Sequence, residues 1–182
     1  MSHISAFLVF LVLLVSTATA QDAPLPEEIR RELDATFGDW RLPTDADLST
    51  GSDSFCPSSL HFNGDFDGDG QTDHVAQVIY RVEPDSRVRA DKNGEAWVVA
   101  ALLKRSDGFD VHIKNYFGRE SALIKNEAGS EIHPFDSGYS FQSNGEASFR
   151  LQTDAITIAY CGKASSLYFY YGGAFIEATT GD

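Results

Sequence analysis

The segment Ala96-Trp97-Val98-Val99-Ala100-Ala101-Leu102-Leu103 is apolar at every position. A β-strand with one face in water alternates apolar and polar residues, whereas a strand covered on both faces is apolar throughout. We therefore predict that residues 96–103 form a central strand of a sheet.

The segments on either side of this run also have strand character. Residues 74–81 place apolar side chains on one face of a strand, and residues 109–114 alternate apolar with polar residues. Ser106-Asp107-Gly108 is typical of a turn between strands. The chain is thus predicted to run back and forth through neighbouring antiparallel strands, with residues 109–114 half exposed.

The C-terminal half continues the strand pattern after a segment that is rich in Gly, Ser and Asn, residues 126–145, which predicts a loop. Gly172-Gly173 predicts a hairpin turn, and alternation within residues 168–171 predicts that about half of these aromatic side chains are buried. Further strands are predicted at residues 59–62, 121–125, 147–151, 155–161, 167–171 and 174–178.

One helix is predicted near the start of the chain. Ile29, Leu33 and Phe37 recur every four residues and form one apolar stripe. Pro26 favours a helix start and Gly38 a helix end. The predicted fold class is therefore α+β, mostly an antiparallel β-sheet in a blade-like meander, with one N-terminal helix.

Between two predicted strands lies the acidic loop Asp65-Phe66-Asp67-Gly68-Asp69-Gly70-Gln71-Thr72-Asp73. Calcium takes six to eight oxygen ligands, and alternate carboxylates followed by a glycine at the sharp turn supply them. Magnesium prefers fewer protein ligands and retains water, and the alternative without a metal is an acidic turn. The predicted calcium ligands are the side chains of Asp65, Asp67, Asp69 and Asp73 and the backbone carbonyl of Gln71.

The loop does not fit an EF-hand, because Ala76 stands at position 12, where a bidentate Glu is needed, and the flanks are strand-like. The pattern D-x-D-x-D-G-x-x-D between strands instead resembles the FG-GAP/VCBS-type calcium loops of integrin-like β-propellers. That resemblance implies the same five ligands. A propeller needs about four blades or more, and only one loop copy is present, so we expect a lone loop in a small domain.

The aromatic C-terminal segment, residues 165–175, is similar to small secreted bacterial proteins of uncharacterised function that carry one such loop. This weaker resemblance covers little of the chain. It implies a blade-like sheet and no particular activity.

Residues 1–20 have the pattern of a secretory signal peptide. An apolar run at residues 6–15 is followed by Ala18-Thr19-Ala20, which fits a small-residue cleavage site. The run is shorter than the roughly 20 apolar residues that span a bilayer, and the alternative is a retained anchor. We predict an exported protein, secreted or periplasmic, with one calcium-binding β-rich domain at residues 21–182.

Composition narrows the classes of partner. The formal net charge is −13, which argues against binding to nucleic acid or to an anionic membrane surface, because both need basic surface. In an exported protein the two cysteines, Cys56 and Cys161, predict a disulfide bond, and the alternative is two buried free thiols. A protein or glycan partner is compatible with the aromatic residues 168–171.

No H-E-x-x-H zinc motif and no G-x-S-x-G nucleophile motif occurs in the sequence. We therefore predict an exported non-catalytic module that binds one calcium ion structurally and serves as an interaction or structural protein. The alternative is a small secreted hydrolase that uses carboxylates or His133, with calcium as a structural aid.

Overall fold

A computed structural model describes residues 24–44, 46–47, 60–83, 86, 88–116, 121–132, 148–160 and 165–180. The predicted signal peptide, Cys56, Cys161 and His133 lie outside these residues. Among the described residues, no helix has the length and the apolar character needed to cross a membrane.

The first sheet is an antiparallel meander preceded by one helix. Strands β2 to β5 pair in chain order, and β1 pairs with β3 along the edge that β2 also uses. The elements are α1 (Glu27–Phe37), β1 (Trp40–Arg41), β2 (His61–Gly64), β3 (Asp73–Arg81), β4 (Glu95–Arg105) and β5 (Gly108–Tyr116).

The β4 strand is covered on both faces, which confirms the prediction of a central strand. Its side chains alternate between two separate apolar clusters, one shared with α1 and one shared with a second sheet. Val98, Ala100 and Leu102 face the helix, and Trp97, Val99, Ala101 and Leu103 face the other sheet.

Helix α1 lies against the first sheet through the predicted stripe. Ile29 and Leu33 are fully buried, and Phe37 is partly buried against the same cluster. Gly38 ends the helix with a φ of 68°, and its N–H donates to the Asp34 carbonyl oxygen at 3.1 Å. The predicted stripe and end of the helix are therefore confirmed, whereas Pro26, predicted at the first helical position, lies one residue before the helix.

The second sheet contains the C-terminal strands in the order β11-β10-β9-β6, all antiparallel. A two-stranded hairpin of β7 and β8 packs beside it. The elements are β6 (Ser121–Asn126), β7 (Glu131–Ile132), β8 (Phe149–Arg150), β9 (Ala155–Tyr160), β10 (Ser165–Tyr171) and β11 (Ala174–Thr180).

The α+β, mostly antiparallel fold class is confirmed, and the structure adds that the strands divide into two stacked sheets and the separate β7–β8 pair. Gly172 and Gly173 have φ values of 61° and 91° and connect β10 to β11, as predicted. Within residues 168–171, only Tyr168 is buried, at 6% exposed, while Phe169 and Tyr170 are intermediate and Tyr171 is 70% exposed, so fewer of these side chains are buried than the predicted half. Alternation reveals which face of a strand is buried but not which sheet covers it.

Several predicted strand boundaries are displaced by one or two residues: β4 spans Glu95–Arg105 instead of 96–103, and β5 spans Gly108–Tyr116 instead of 109–114. The strand predicted at residues 59–62 begins at His61 and continues to Gly64, because pairing with β3 extends to Asp73. The predicted loop at residues 126–145 includes the short strand β7 in its described part. Tertiary pairing with β8 supplies the hydrogen bonds that local composition does not favour.

Packing of α1 on the sheet generates a stability prediction. Replacing Leu33 with Ala removes a fully buried side chain and leaves a cavity, so we expect the free energy of unfolding to fall by about 2–5 kcal/mol. Urea unfolding followed by circular dichroism measures this loss. The exposed Arg31 on the same helix provides the control, because Arg31→Ala should change stability by less than about 0.5 kcal/mol.

Candidate metal centre

The acidic loop, residues 65–73, joins β2 to β3 at the end of the first sheet. Gly64 and Asp73 are paired across these two antiparallel strands, so the pairing closes the loop at its base. The ring of Phe66 points into the core between the two sheets and is fully buried. The loop is therefore fixed both by the strand ladder and by an apolar anchor.

Three of the four predicted carboxylates lie together. One oxygen from each of Asp65, Asp67 and Asp73 lies within 4.8 Å of the other two. Asp69 belongs to a local turn instead, because its two oxygens accept hydrogen bonds from the backbone N–H and the side-chain amide of Gln71, at 2.7 and 2.8 Å. The Gln71 backbone hydrogen bond is the main reason that the pKa of Asp69 lies below its usual range.

The loop backbone wraps around the Asp65 carboxylate. Its oxygens accept hydrogen bonds from the backbone N–H groups of Gly68 and Gly70, at 2.8 and 3.1 Å. Gly70 has a φ of 81°, in the left-handed region that favours glycine. The requirement for a residue without Cβ at position 6 of the loop is therefore confirmed.

Asp73 connects the loop to the neighbouring strand. Its carboxylate is completely buried and accepts hydrogen bonds from the backbone N–H groups of Phe66 and Lys104, each at 2.8 Å. Burial raises the pKa of Asp73, while the two N–H donors act in the opposite direction. This side chain has a structural function in addition to its place in the acidic cluster.

Arg105, at the end of β4, lies beside the cluster and was not identified from the sequence. Its guanidinium Nη1 is 2.5 Å from Oδ2 of Asp67 and 3.7 Å from Oδ2 of Asp69. The Asp67 side chain is only 6% exposed. The hydrogen bond between Arg105 and Asp67 raises the pKa of Arg105. A permanent positive charge therefore offsets part of the negative charge of the loop.

Asp154, directly before β9, attaches the loop to the second sheet and was also not identified from the sequence. Its carboxylate accepts hydrogen bonds from the backbone N–H groups of Asp65 and Ala128, at 3.1 and 2.9 Å, and pairs with Lys125. The backbone N–H of Asp154 donates in turn to the Asp65 carbonyl oxygen at 3.0 Å. A side chain on Gly64 would collide with the Asp154 carboxylate.

Local sequence patterns identified the loop but not these two contacts. Arg105 and Asp154 are 38 and 89 positions away from their partners in the loop. An isolated Arg after a strand and an Asp before another strand are common surface features. Pairing of β3 with β4 within the first sheet brings Arg105 to the loop, and stacking of the second sheet on the first brings Asp154 to it.

Comparisons with protein-family models, with curated proteins and with solved structures found no match for this chain. The resemblance of residues 65–73 to FG-GAP/VCBS-type calcium loops therefore stays a prediction. The chemistry of the site is argued from its own geometry: a compact group of carboxylates, a single guanidinium, and backbone hydrogen bonds that fix the loop between two sheets.

The contact between Asp154 and the loop generates the second prediction. Asp154→Ala leaves the partly buried N–H of Asp65 without its acceptor, and an unsatisfied buried donor costs about 1–3 kcal/mol. We expect a loss of that size in urea unfolding. The control is Asp107→Ala, at an exposed turn position between β4 and β5. Equal stabilities of the two variants would contradict a role for Asp154 in fixing the loop.

Proposed function

We propose that this protein is an exported, non-catalytic module in which residues 65–73 bind one calcium ion. The observation that carries the proposal is the approach of oxygens from Asp65, Asp67 and Asp73 to within 4.8 Å of one another on a loop closed by paired strands. Export rests on the signal-peptide pattern of residues 1–20, which lie outside the described residues.

The choice of calcium follows from the kind and number of donors. Every side chain in the cluster offers carboxylate oxygen, the ligand of hard cations, and calcium tolerates irregular geometry with six to eight ligands. The remaining positions would be filled by Asp69, by the Gln71 carbonyl oxygen, as in the predicted ligand set, and by water. Entry of Asp69 requires its side chain to leave the Gln71 amide that it now accepts from.

The charge balance also favours a divalent cation. When ionised, the four aspartates of the loop carry four negative charges and Arg105 carries one positive charge, so the balance is −4 + 1 = −3. A calcium ion reduces this to −1. Carboxylates held this close together disfavour one another's ionised form unless a cation lies among them.

A structural role for the ion follows from the position of the loop. Within the nine-residue loop, Asp73 contacts β4 and Phe66 packs into the core. The loop backbone also donates a hydrogen bond to Asp154, which precedes β9 of the second sheet. An ion that binds this loop in the folded state therefore stabilises the junction of the two sheets. A ligand that binds only the folded state stabilises it by about 2.7 kcal/mol at a hundredfold excess over Kd.

The third prediction tests this linkage. We expect the melting temperature to be several degrees higher in calcium than in chelator, because a stabilisation of about 2–3 kcal/mol shifts the Tm of a domain of this size by several degrees. Differential scanning calorimetry measures the shift. Asp67→Asn with Asp69→Asn removes two negative charges while keeping side-chain shape, and should abolish it.

Two controls accompany this experiment. The exposed Asp107→Asn with Glu83→Asn, which also removes two negative charges, should retain the calcium shift. Magnesium at the same concentration should give a smaller shift, because it accepts fewer protein ligands. A wild-type melt that is identical in calcium and in chelator refutes the proposal.

The fourth prediction concerns Arg105, whose replacement by Gln should have opposite effects on the two states. Without calcium, the variant loses the charge that offsets the loop and becomes less stable. With calcium, the Gln side chain no longer competes with the ion for Asp67, so affinity should rise about fivefold or more, since removing a positive charge a few Å from the ion is worth at least about 1 kcal/mol. Calorimetric titration measures the affinity.

Arg81→Gln is the matched control, because Arg81 is 72% exposed and its nearest ion-pair contact, to Asp39, is 3.8 Å long. This control should leave calcium affinity unchanged beyond a small long-range effect. A lower calcium affinity in Arg105→Gln would mean that Arg105 supports the bound state instead of competing with the ion.

A further inference from the structure

A second feature of the molecule is a cavity of about 320 Å³ between the edges of the two sheets. It lies where β5, at the edge of the first sheet, approaches β11, at the edge of the second. Its described lining includes no residue of the acidic loop. The cavity is thus a separate place at which the protein can hold a ligand.

The floor of the cavity is apolar. It is formed by Val99 and Ala101 from β4 and by Ile156 and Ile158 from β9, all of which are buried. These side chains belong to the core between the sheets. A ligand that enters here removes its own apolar surface from water, which is favourable by about 25 cal/mol for each Å² buried.

The mouth of the cavity carries a charge pair of net zero. Glu177 accepts a hydrogen bond from Nζ of Lys114 at 2.8 Å and another from the Tyr168 hydroxyl at 2.7 Å. The side chains of Lys114 and Glu177 are 47% and 43% exposed, so the mouth is open to solvent. Burial raises the pKa of Tyr168, so its hydroxyl stays protonated as a donor even well above neutral pH.

Aromatic rings surround the same opening. The His112 ring lies 5.3 Å from the Phe175 ring in an edge-to-face arrangement, and Lys114 Nζ lies 5.1 Å from the centre of the Tyr168 ring. Aromatic side chains pair favourably with other rings at such distances. A flat aromatic ligand is therefore a better fit for this opening than a flexible aliphatic one.

We propose that this cavity binds a small neutral aromatic compound of about two fused rings that carries one hydroxyl group. An engineered apolar cavity of about 150 Å³ holds one benzene molecule, so about 320 Å³ matches two rings. Binding pockets for small molecules begin near 300 Å³ and combine an apolar lining with a few polar groups. The hydroxyl group lies at the Lys114–Glu177 pair, which offers one donor and one acceptor.

The Lys114–Glu177 ion pair disfavours the binding of charged ligands. An aromatic carboxylate would be attracted by Lys114 but repelled by Glu177. An aromatic ammonium would be attracted by Glu177 but repelled by Lys114. A hydroxyl group donates to Glu177 and accepts from Lys114 without disturbing their balance. Specificity for a neutral hydroxyl compound is thus a consequence of two opposite charges at one opening.

The test uses the full chain with three related probes, 2-naphthol, naphthalene and 2-naphthoate, and measures binding by calorimetric titration or protein-detected NMR. We expect saturable binding of 2-naphthol at one site. Naphthalene, which lacks the hydroxyl group, and 2-naphthoate, which is charged, should each bind at least tenfold more weakly. Absence of saturable 2-naphthol binding up to its solubility, or equal binding of 2-naphthoate, overturns the proposal.

Two variants locate the binding. Ala101→Leu fills the floor of the cavity and should weaken 2-naphthol binding at least tenfold. Glu177→Gln, at a partly exposed position, removes the negative charge and should shift preference toward 2-naphthoate by at least fivefold. Glu83→Gln makes the same charge change at an exposed site outside the lining and should leave the preference unchanged. Unchanged preference in Glu177→Gln places any bound probe elsewhere and overturns the assignment.

Discussion

Burial of both faces of β4 is the constraint on which the other elements depend. A strand that is apolar at every position needs a layer on each side, and here α1 supplies one layer and the second sheet supplies the other. Because the two layers come from opposite ends of the chain, β4 brings N-terminal and C-terminal segments together. The acidic loop and the cavity both lie on the side of β4 that faces the second sheet.

Strand pairing and backbone hydrogen bonds together fix the conformation of the acidic loop. Pairing of Gly64 with Asp73 sets the loop's width, and Phe66 fixes it to the core. Both carboxylate oxygens of Asp73 accept hydrogen bonds from backbone N–H groups. One of them also lies within 4.8 Å of oxygens of Asp65 and Asp67. The arrangement is already ordered by protein groups, so a cation entering it has little conformational entropy left to remove.

Sequence patterns predicted the parts of this protein that depend on neighbours along the chain. Local periodicity sets the helix stripe of Ile29 and Leu33 and the burial of β4 on both faces. Local backbone conformation sets the glycine hairpin and the position of Gly70 at the loop turn. The partition into two sheets, the contact of Arg105 with Asp67 and the contact of Asp154 with the loop were not predictable in this way. Each depends on pairing between segments distant in sequence, and one polar residue at a strand end does not reveal its partner.

The edges of the two sheets have a consequence for how the protein behaves at high concentration. Within the described part of the chain, β5 and β11 each pair on one side only. A bare strand edge is a template for adding a strand from another molecule. Here the edges carry Asp110, Lys114 and Glu177, and the whole chain has a net charge of −13. Charged side chains on the edges and mutual repulsion between molecules together oppose edge-to-edge aggregation, a safeguard for a β-rich chain crowded among its own copies.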